Sequence, residues 1–243
     1  MKRTNRFQKV RIAVLTVSTA LFPLSFYYLS PVIPLQGSLN GVVTGSLVMF
    51  ALLTVAAMVL GRSFCSWLCP AGGLQDQVAL SRTRAVNVAR LSWVKYVVWV
   101  VWLTVLLSLF YSAGGVTTID VTFATEHGLS AASFEALVAY GCVVSVFMAV
   151  PLLVGRRAAC HTLCWIAPFM VLGRRLGRAL HIPNLHIYAQ PDRCVDCKQC
   201  TSNCPMSLDV NLIAKTGQID SDNCILCGRC VAGCKRKVLS MRW

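Results

Sequence analysis

The chain has 243 residues, 56% of them hydrophobic and only 13% charged, with a mean hydropathy of +0.63. A soluble domain carries roughly 25% charged residues, so this composition excludes an ordinary soluble enzyme and points into a membrane. The formal net charge of +14 would suit nucleic acid only if it lay on one folded face, and its spread along the chain argues for a topology signal instead.

Four apolar stretches, residues 12–29, 42–60, 96–111 and 134–154, approach the about 20 helical residues that a hydrocarbon core requires. The third is the shortest and borrows residues 91–95, with Lys95 snorkelling to the interface. The first starts basic, as a signal peptide does. Its apolar run is too long for one, however, and no small-residue cleavage site follows Pro23 or Pro31, so it reads as a retained span. Lys2, Arg3, Arg6, Lys9 and Arg11 precede it, and Arg62, Arg82, Arg84, Arg90 and Lys95 lie between spans two and three. The other Lys and Arg follow span four, and the loops at 30–41 and 112–133 carry none. The positive-inside rule then places both termini and the middle loop in the cytoplasm, with the chain in the inner membrane.

The spans form an internal repeat. Spans one and two end in Gly61-Arg62-Ser63-Phe64-Cys65-Ser66-Trp67-Leu68-Cys69-Pro70, spans three and four in Gly155-Arg156-Arg157-Ala158-Ala159-Cys160-His161-Thr162-Leu163-Cys164-Trp165. Two parallel hairpin repeats would bring both Cys-x3-Cys pairs together at the cytoplasmic surface. Cysteines four apart on a helix hold their Cβ atoms about 5–6 Å apart, wider than the about 3.5–4.5 Å of a disulfide. Pro70 leaves Cys69 near a helix start, where the dipole favours a thiolate. Cys65, Cys69, Cys160 and Cys164 therefore read as ligands of a shared metal or a third cluster, as redox dithiols, or as packing residues.

Smaller features have plain readings. Gly37, Gly41 and Gly45 permit close packing, Cys142 is a small core residue of span four, and His161 is a satisfied interfacial imidazole. Asp120, Glu126 and His127 make a solvated loop, or else accept protons from a quinol. Residues 169–180, with Arg174, Arg175 and Arg178 beside leucines, read as a short basic helix on the inner leaflet.

The C-terminus carries Cys194-x2-Cys197-x2-Cys200-x3-Cys204-Pro205 and, thirty residues on, Cys224-x2-Cys227-x2-Cys230-x3-Cys234. This is the spacing of a bacterial two-cluster ferredoxin, in which the fourth cysteine of each run ligates the other cluster. It assigns Cys194, Cys197, Cys200 and Cys234 to one [4Fe–4S] cluster and Cys204, Cys224, Cys227 and Cys230 to the second. A reducing cytoplasm suits these thiols.

With Cys65-x3-Cys69-Pro70, a four-span core and the two C-terminal runs, the chain resembles the NapH/MauN-type membrane ferredoxins, whose core recurs in the membrane portion of NosR-like regulators. The resemblance implies an integral membrane electron-transfer protein, a quinol dehydrogenase component working with a partner reductase, cytochrome or other iron–sulfur protein. Two departures stand out: Trp165 replaces the proline after Cys164, and Lys235 the one after Cys234.

The expected architecture is an all-α membrane core of four transmembrane helices plus a small α+β two-cluster ferredoxin domain. Residues 1–165 form the core, 166–184 a basic interfacial linker and 185–243 the ferredoxin. The expected function is electron transfer between the quinone pool and a partner redox enzyme, with membrane lipid around the core and no nucleic acid. A metal-handling or assembly factor and a non-catalytic redox sensor are the alternatives.

Overall fold

The computed structural model describes residues 6–81, 84–125, 129–130 and 133–243. Glu126 and His127, expected in the second extracytoplasmic loop, lie outside them. Helix α1 (Arg6–Ala20) breaks at Leu21, and the short turns Phe22–Ser25 and Tyr27–Leu29 complete the stretch expected to be the first span. Pro23 sits in the first turn of Phe22–Ser25, where its missing N–H costs least.

Strand β1 (Val42–Thr44) leads into α2 (Gly45–Leu60). Sixteen residues reach roughly 24 Å, short of the about 30 Å of a hydrocarbon core. Beyond Leu60 the chain turns back through Phe64–Trp67 into α3 (Pro70–Ser81), then runs through Val88–Leu91 into α4 (Val94–Ser112). Strand β2 (Thr118–Asp120) pairs in parallel with β1, Val43 opposite Ile119. Helix α5 (Phe134–Val154) follows, then Ala158–Thr162 and α6 (Ile166–Ala179). Among the described residues, Val88–Ser112 (25 residues) and Phe134–Val154 (21 residues) are long and apolar enough to cross a membrane. The other two expected spans do not reach that length as single helices.

The repeat expected from the sequence appears as crossed packing. Helix α3, from the first half, packs on α1 and on α5 of the second half; α6, from the second half, packs on α2 of the first. Gly173 and Gly177 make the α6–α2 approach close, since a Cβ at either would overlap the backbone carbonyl of Thr54 or Met58. Phe169 of α6 stacks on Phe50 of α2, with ring centroids 5.4 Å apart, and meets Trp99 and Trp102 of α4 edge-on. Residues 166–179 are therefore built into the helical core, with Ile166, Ala167, Met170, Val171 and Gly173 buried. The expected leaflet-surface helix takes this place because its apolar face finds α2. The close approaches at Gly37 and Gly45 are to Thr44 and the Val121 carbonyl, around the β1–β2 pair, and not between helices.

The C-terminal part is small and α+β. Strands β3 (His186–Ala189), β4 (Gln218–Ile219) and β5 (Leu239–Arg242) form an antiparallel sheet of order β4–β3–β5. Its thirty-residue repeat is written in the backbone. Left-handed residues fall at Asp196 and Leu226, at Lys198 and Gly228, and at Ser207 and Lys237, each pair thirty apart. The short helices Gln199–Ser202 and Arg229–Gly233 start at the same point of each copy.

Candidate functional site

None of the thirteen cysteines is in a disulfide. In each C-terminal run the first three are carried by a loop that alternates ordinary and left-handed residues, Asp196 and Lys198 in one, Leu226 and Gly228 in the other. Such alternation curls backbone N–H groups into a concave nest, a setting common to phosphate and iron–sulfur sites. Cys194, Cys197, Cys200 and Cys234 line one cavity of about 160 Å³. Cys204, Cys224, Cys227 and Cys230 line another, closed by Ile187, Met206, Leu208 and Ile225. The fourth cysteine of each run thus stands with the first three of the other. The two cradles differ in exposure. Cys197 is exposed and Cys194, Cys200 and Cys234 are half-buried, whereas all four cysteines of the second cradle are buried. Burial, then the neighbouring Cys227, pushes the Cys204 thiol up to about 12. Thiols packed this way carry charge only when a cation is there to bind it.

The Cys65/Cys69 and Cys160/Cys164 pairs also converge, within the protein. Cys65, Cys69 and Cys160 are buried and Cys164 is half-buried. Cys69, Cys160 and Cys164 line a cavity with Phe22, Phe26, Leu29, Phe147 and Trp165. Cys65 closes the group from the other side, its Sγ 3.6 Å from Met170 Sδ and within electrostatic reach of the other three. Gly61 and Gly155 each end a helix with positive φ (55° and 141°), a backbone that favours glycine. Without a bound cation, burial first, and Cys65 and Cys164 next, push the Cys69 thiol well up. Among the described residues no three Cys, His, Asp or Glu side chains close on a point that one metal ion could occupy. A four-iron cube instead wants its thiolates spread around a cavity, which is the arrangement of both C-terminal cradles; three of the quartet share such a cavity and Cys65 stands beside it.

Two arginines, each three residues before a cysteine pair, build the walls. Arg62 is 1% exposed. One amino nitrogen lies 4.0 Å from Cys65 Sγ, and the other donates to the Asp222 carbonyl at 2.8 Å, two residues before Cys224. Arg157, fully buried with φ 50°, donates to Asp76 at 2.9 Å, to the Cys65 carbonyl at 3.0 Å and to the Gly72 carbonyl at 3.2 Å. Burial pushes the Asp76 carboxyl up, but Arg157, Arg229 and Arg11 hold it down at about 2. Gln75 donates to Cys160 Sγ at 3.1 Å and accepts from the Cys160 N–H. The Gly-Arg repeat visible in the sequence signalled the arginines; nothing local signalled Gln75 or Met170.

The second cradle is docked on the helical core. Gln8 donates to the Cys227 carbonyl at 2.8 Å and Lys95 to Asn223 at 2.5 Å. Arg174 donates to the Ser221 carbonyl and Asp220, and Arg175 and Arg178 pair with Asp222 and Asp220. Lys95 is accordingly buried against the C-terminal domain and does not snorkel. His161 is fully buried between the cysteine quartet and the Cys204 turn. Neither ring nitrogen meets hydrogen-bond geometry, although the Met206 backbone approaches the ring. Burial, with Lys95 and Arg62 nearby, holds the imidazole neutral at about 3. Cys142 sits on the exposed face of α5 and not in its core.

A family model described as "4Fe-4S binding domain" matches residues 42–86 and again 136–183, once over each membrane-side cysteine pair. A second, "4Fe-4S dicluster domain", matches residues 186–235. Among curated proteins, "Uncharacterized protein MJ0750" of Methanocaldococcus jannaschii is 26% identical over 234 residues, spanning 91% of this chain and 87% of that protein. "Uncharacterized protein MJ0749" of the same organism is 23% identical, over 97% and 89%. "Putative electron transport protein YccM" of Escherichia coli is 24% identical over 79% of this chain and 54% of its own length. No solved structure matches. The chain carries 4Fe–4S binding domains, and these together with the likeness to YccM support iron–sulfur electron transfer.

Proposed function

We propose that the chain is an integral membrane electron-transfer protein of the NapH/MauN kind, carrying electrons between the quinol pool and a cytoplasmic partner. In this reading the helical core crosses the inner membrane four times with both termini inside. Cys194, Cys197, Cys200 and Cys234 hold one [4Fe–4S] cluster, and Cys204, Cys224, Cys227 and Cys230 a second. Cys65, Cys69, Cys160 and Cys164 hold a third within the bundle. When bound, the clusters supply one-electron centres, so that a quinol giving up two electrons and two protons is oxidised in single steps.

The chain's own residues do the rest. Phe22, Phe26, Phe147 and Trp165 keep water from the cysteine quartet, Arg62 supplies positive charge beside Cys65, and Arg157 fixes the loop by three bonds. The observation that carries the reading is the Arg62 bridge. One side chain touches both Cys65 of the quartet and the loop that delivers Cys224, leaving the more exposed cradle for a partner. A single zinc for the quartet is disfavoured by the spread of its thiols.

The test is reduction of the clusters in proteoliposomes by a quinol against reduction by dithionite. Cys65→Ser should slow the quinol reaction at least tenfold and leave dithionite reduction of the two C-terminal clusters intact. Equal quinol rates in variant and parent would remove the quartet from the electron path.

A further inference from the structure

The C-terminal domain sorts its charges. It has five acids. Asp220 and Asp222 turn toward Arg174, Arg175 and Arg178 of α6. Asp209 caps the helix Val210–Ala214, and Asp196 bonds Asn211 and Lys215. Only Asp192 remains, in an exposed short turn. By contrast, Lys198, Lys235, Arg236 and Lys237 are exposed, and the side chain of none makes a hydrogen bond or ion pair among the described residues. Lys235 and Arg236 line the same cavity as Cys194, Cys197 and Cys234. Val195, which lines the same cavity, is 57% exposed. Exposed Val195 among four unpaired cations at the exposed cradle, where the one neighbouring acid Asp196 is tied to Lys215 and Asn211, is the anatomy of a transient docking patch.

We propose that this face is the docking surface for an acidic redox protein, one whose own electron-transfer edge is rimmed by carboxylates. The proposal rests on the functional reading above and adds the chemistry of the partner. The orientation rule for loops beside spans does not account for these cations, because they sit around the exposed cradle and not among the acids that meet α6. Docking brings an electron-accepting centre to the Cys197 side, and one electron passes outward per encounter. The unpaired cations raise the encounter rate and screen with salt, while Val195 supplies dry contact.

The test uses two one-electron acceptor proteins of opposite charge, acidic plastocyanin and basic cytochrome c, with the dithionite-reduced, iron-loaded protein in detergent. The second-order rate with plastocyanin should exceed that with cytochrome c at low salt and fall as salt rises, while the cytochrome c rate rises. Lys235→Glu/Arg236→Glu should lower the plastocyanin rate at least tenfold at low salt and flatten its salt dependence, with iron content unchanged. Should that variant load poorly, the salt dependence of the parent decides alone. Equal rates for the two acceptors, or a variant as fast as the parent, would overturn the patch while leaving the electron-transfer reading standing. A parent without bound iron would overturn that reading and the proposal together. Loss of binding to phosphatidylglycerol vesicles in the variant, with the plastocyanin rate unchanged, would assign the patch to lipid and overturn the proposal.

Discussion

Arg62 holds its buried guanidinium 4.0 Å from the sulfur of Cys65. The same side chain donates to the Asp222 carbonyl at 2.8 Å, so a charge placed beside the quartet also fixes the loop that carries Cys224. Its counterpart Arg157, also three residues before a cysteine pair, is bonded to Asp76 instead. The two repeats therefore use equivalent arginines differently, one to bridge outward and one to lock the bundle.

Arg62→Gln tests the bridge. Loss of a cation beside Cys65 disfavours the added electron, so the potential of a cluster held by the quartet should fall. The fall should be on the order of tens of millivolts or more, since a unit charge at 4 Å is worth roughly 1–4 kcal/mol between bulk water and an effective dielectric of 20. The cluster at Cys194, Cys197, Cys200 and Cys234 should not move. A redox titration followed by electron paramagnetic resonance reads both; an unchanged set of potentials would deny Arg62 this role.

Asp76 is the acid that three arginines share, at 3.2 Å from Arg11 and 2.9 Å from Arg157 and Arg229. Asp76→Asn leaves buried guanidinium charge uncompensated and should cost about 3 kcal/mol or more, seen as a lower unfolding temperature in detergent. The acid side follows from the depressed carboxyl, near 2 in place of 3.8. Its stabilisation is complete above about pH 4 and is lost as pH falls through about 2. The variant should therefore lack that part of the parent's acid sensitivity.

Gly177 lies against the Met58 backbone, with no room for a Cβ. Gly177→Leu should push α6 off α2 and destabilise by roughly 1–3 kcal/mol, as overpacking does. Leu180→Ala, at an exposed position just beyond the helix, should be near neutral. Thermal unfolding of the two variants side by side measures the contrast.

What the sequence made legible was whatever spacing along the chain alone encodes. The eight C-terminal cysteines are delivered by short loops, so three-residue steps and a thirty-residue repeat suffice to group them. The convergence of Cys65, Cys69, Cys160 and Cys164 was legible from the repeat. Their burial was not, because it depends on contacts far apart in sequence, such as Phe169 on Phe50 and Gly173 on Thr54. Arg174, Arg175 and Arg178 looked like a lipid-facing set because a helix pattern shows that a face is charged and not which acids meet it. Asp220 and Asp222, more than forty residues on, are those acids. The break of the first apolar stretch could have been read from Pro23, and the burial of Lys95 from no local feature.

Topology is tested by reporter fusions. Fusions after Leu35 and after Gly115 should score as extracytoplasmic and one at Trp243 as cytoplasmic, because the Lys and Arg of the chain fall outside those two loops. The parallel pairing of Val42–Thr44 with Thr118–Asp120 already requires these two segments to share a side. An exported C-terminus would reverse the orientation and remove the clusters from the reducing compartment.

Iron content tests the central claim, that the buried quartet holds a cluster of its own. Anaerobically reconstituted parent protein should bind about twelve irons per chain, four for each of three cubes. Cys65→Ser/Cys160→Ser should bind about eight, with the signals of the two C-terminal clusters unchanged. About eight irons in parent and variant alike would contradict the claim and leave the four cysteines as thiols.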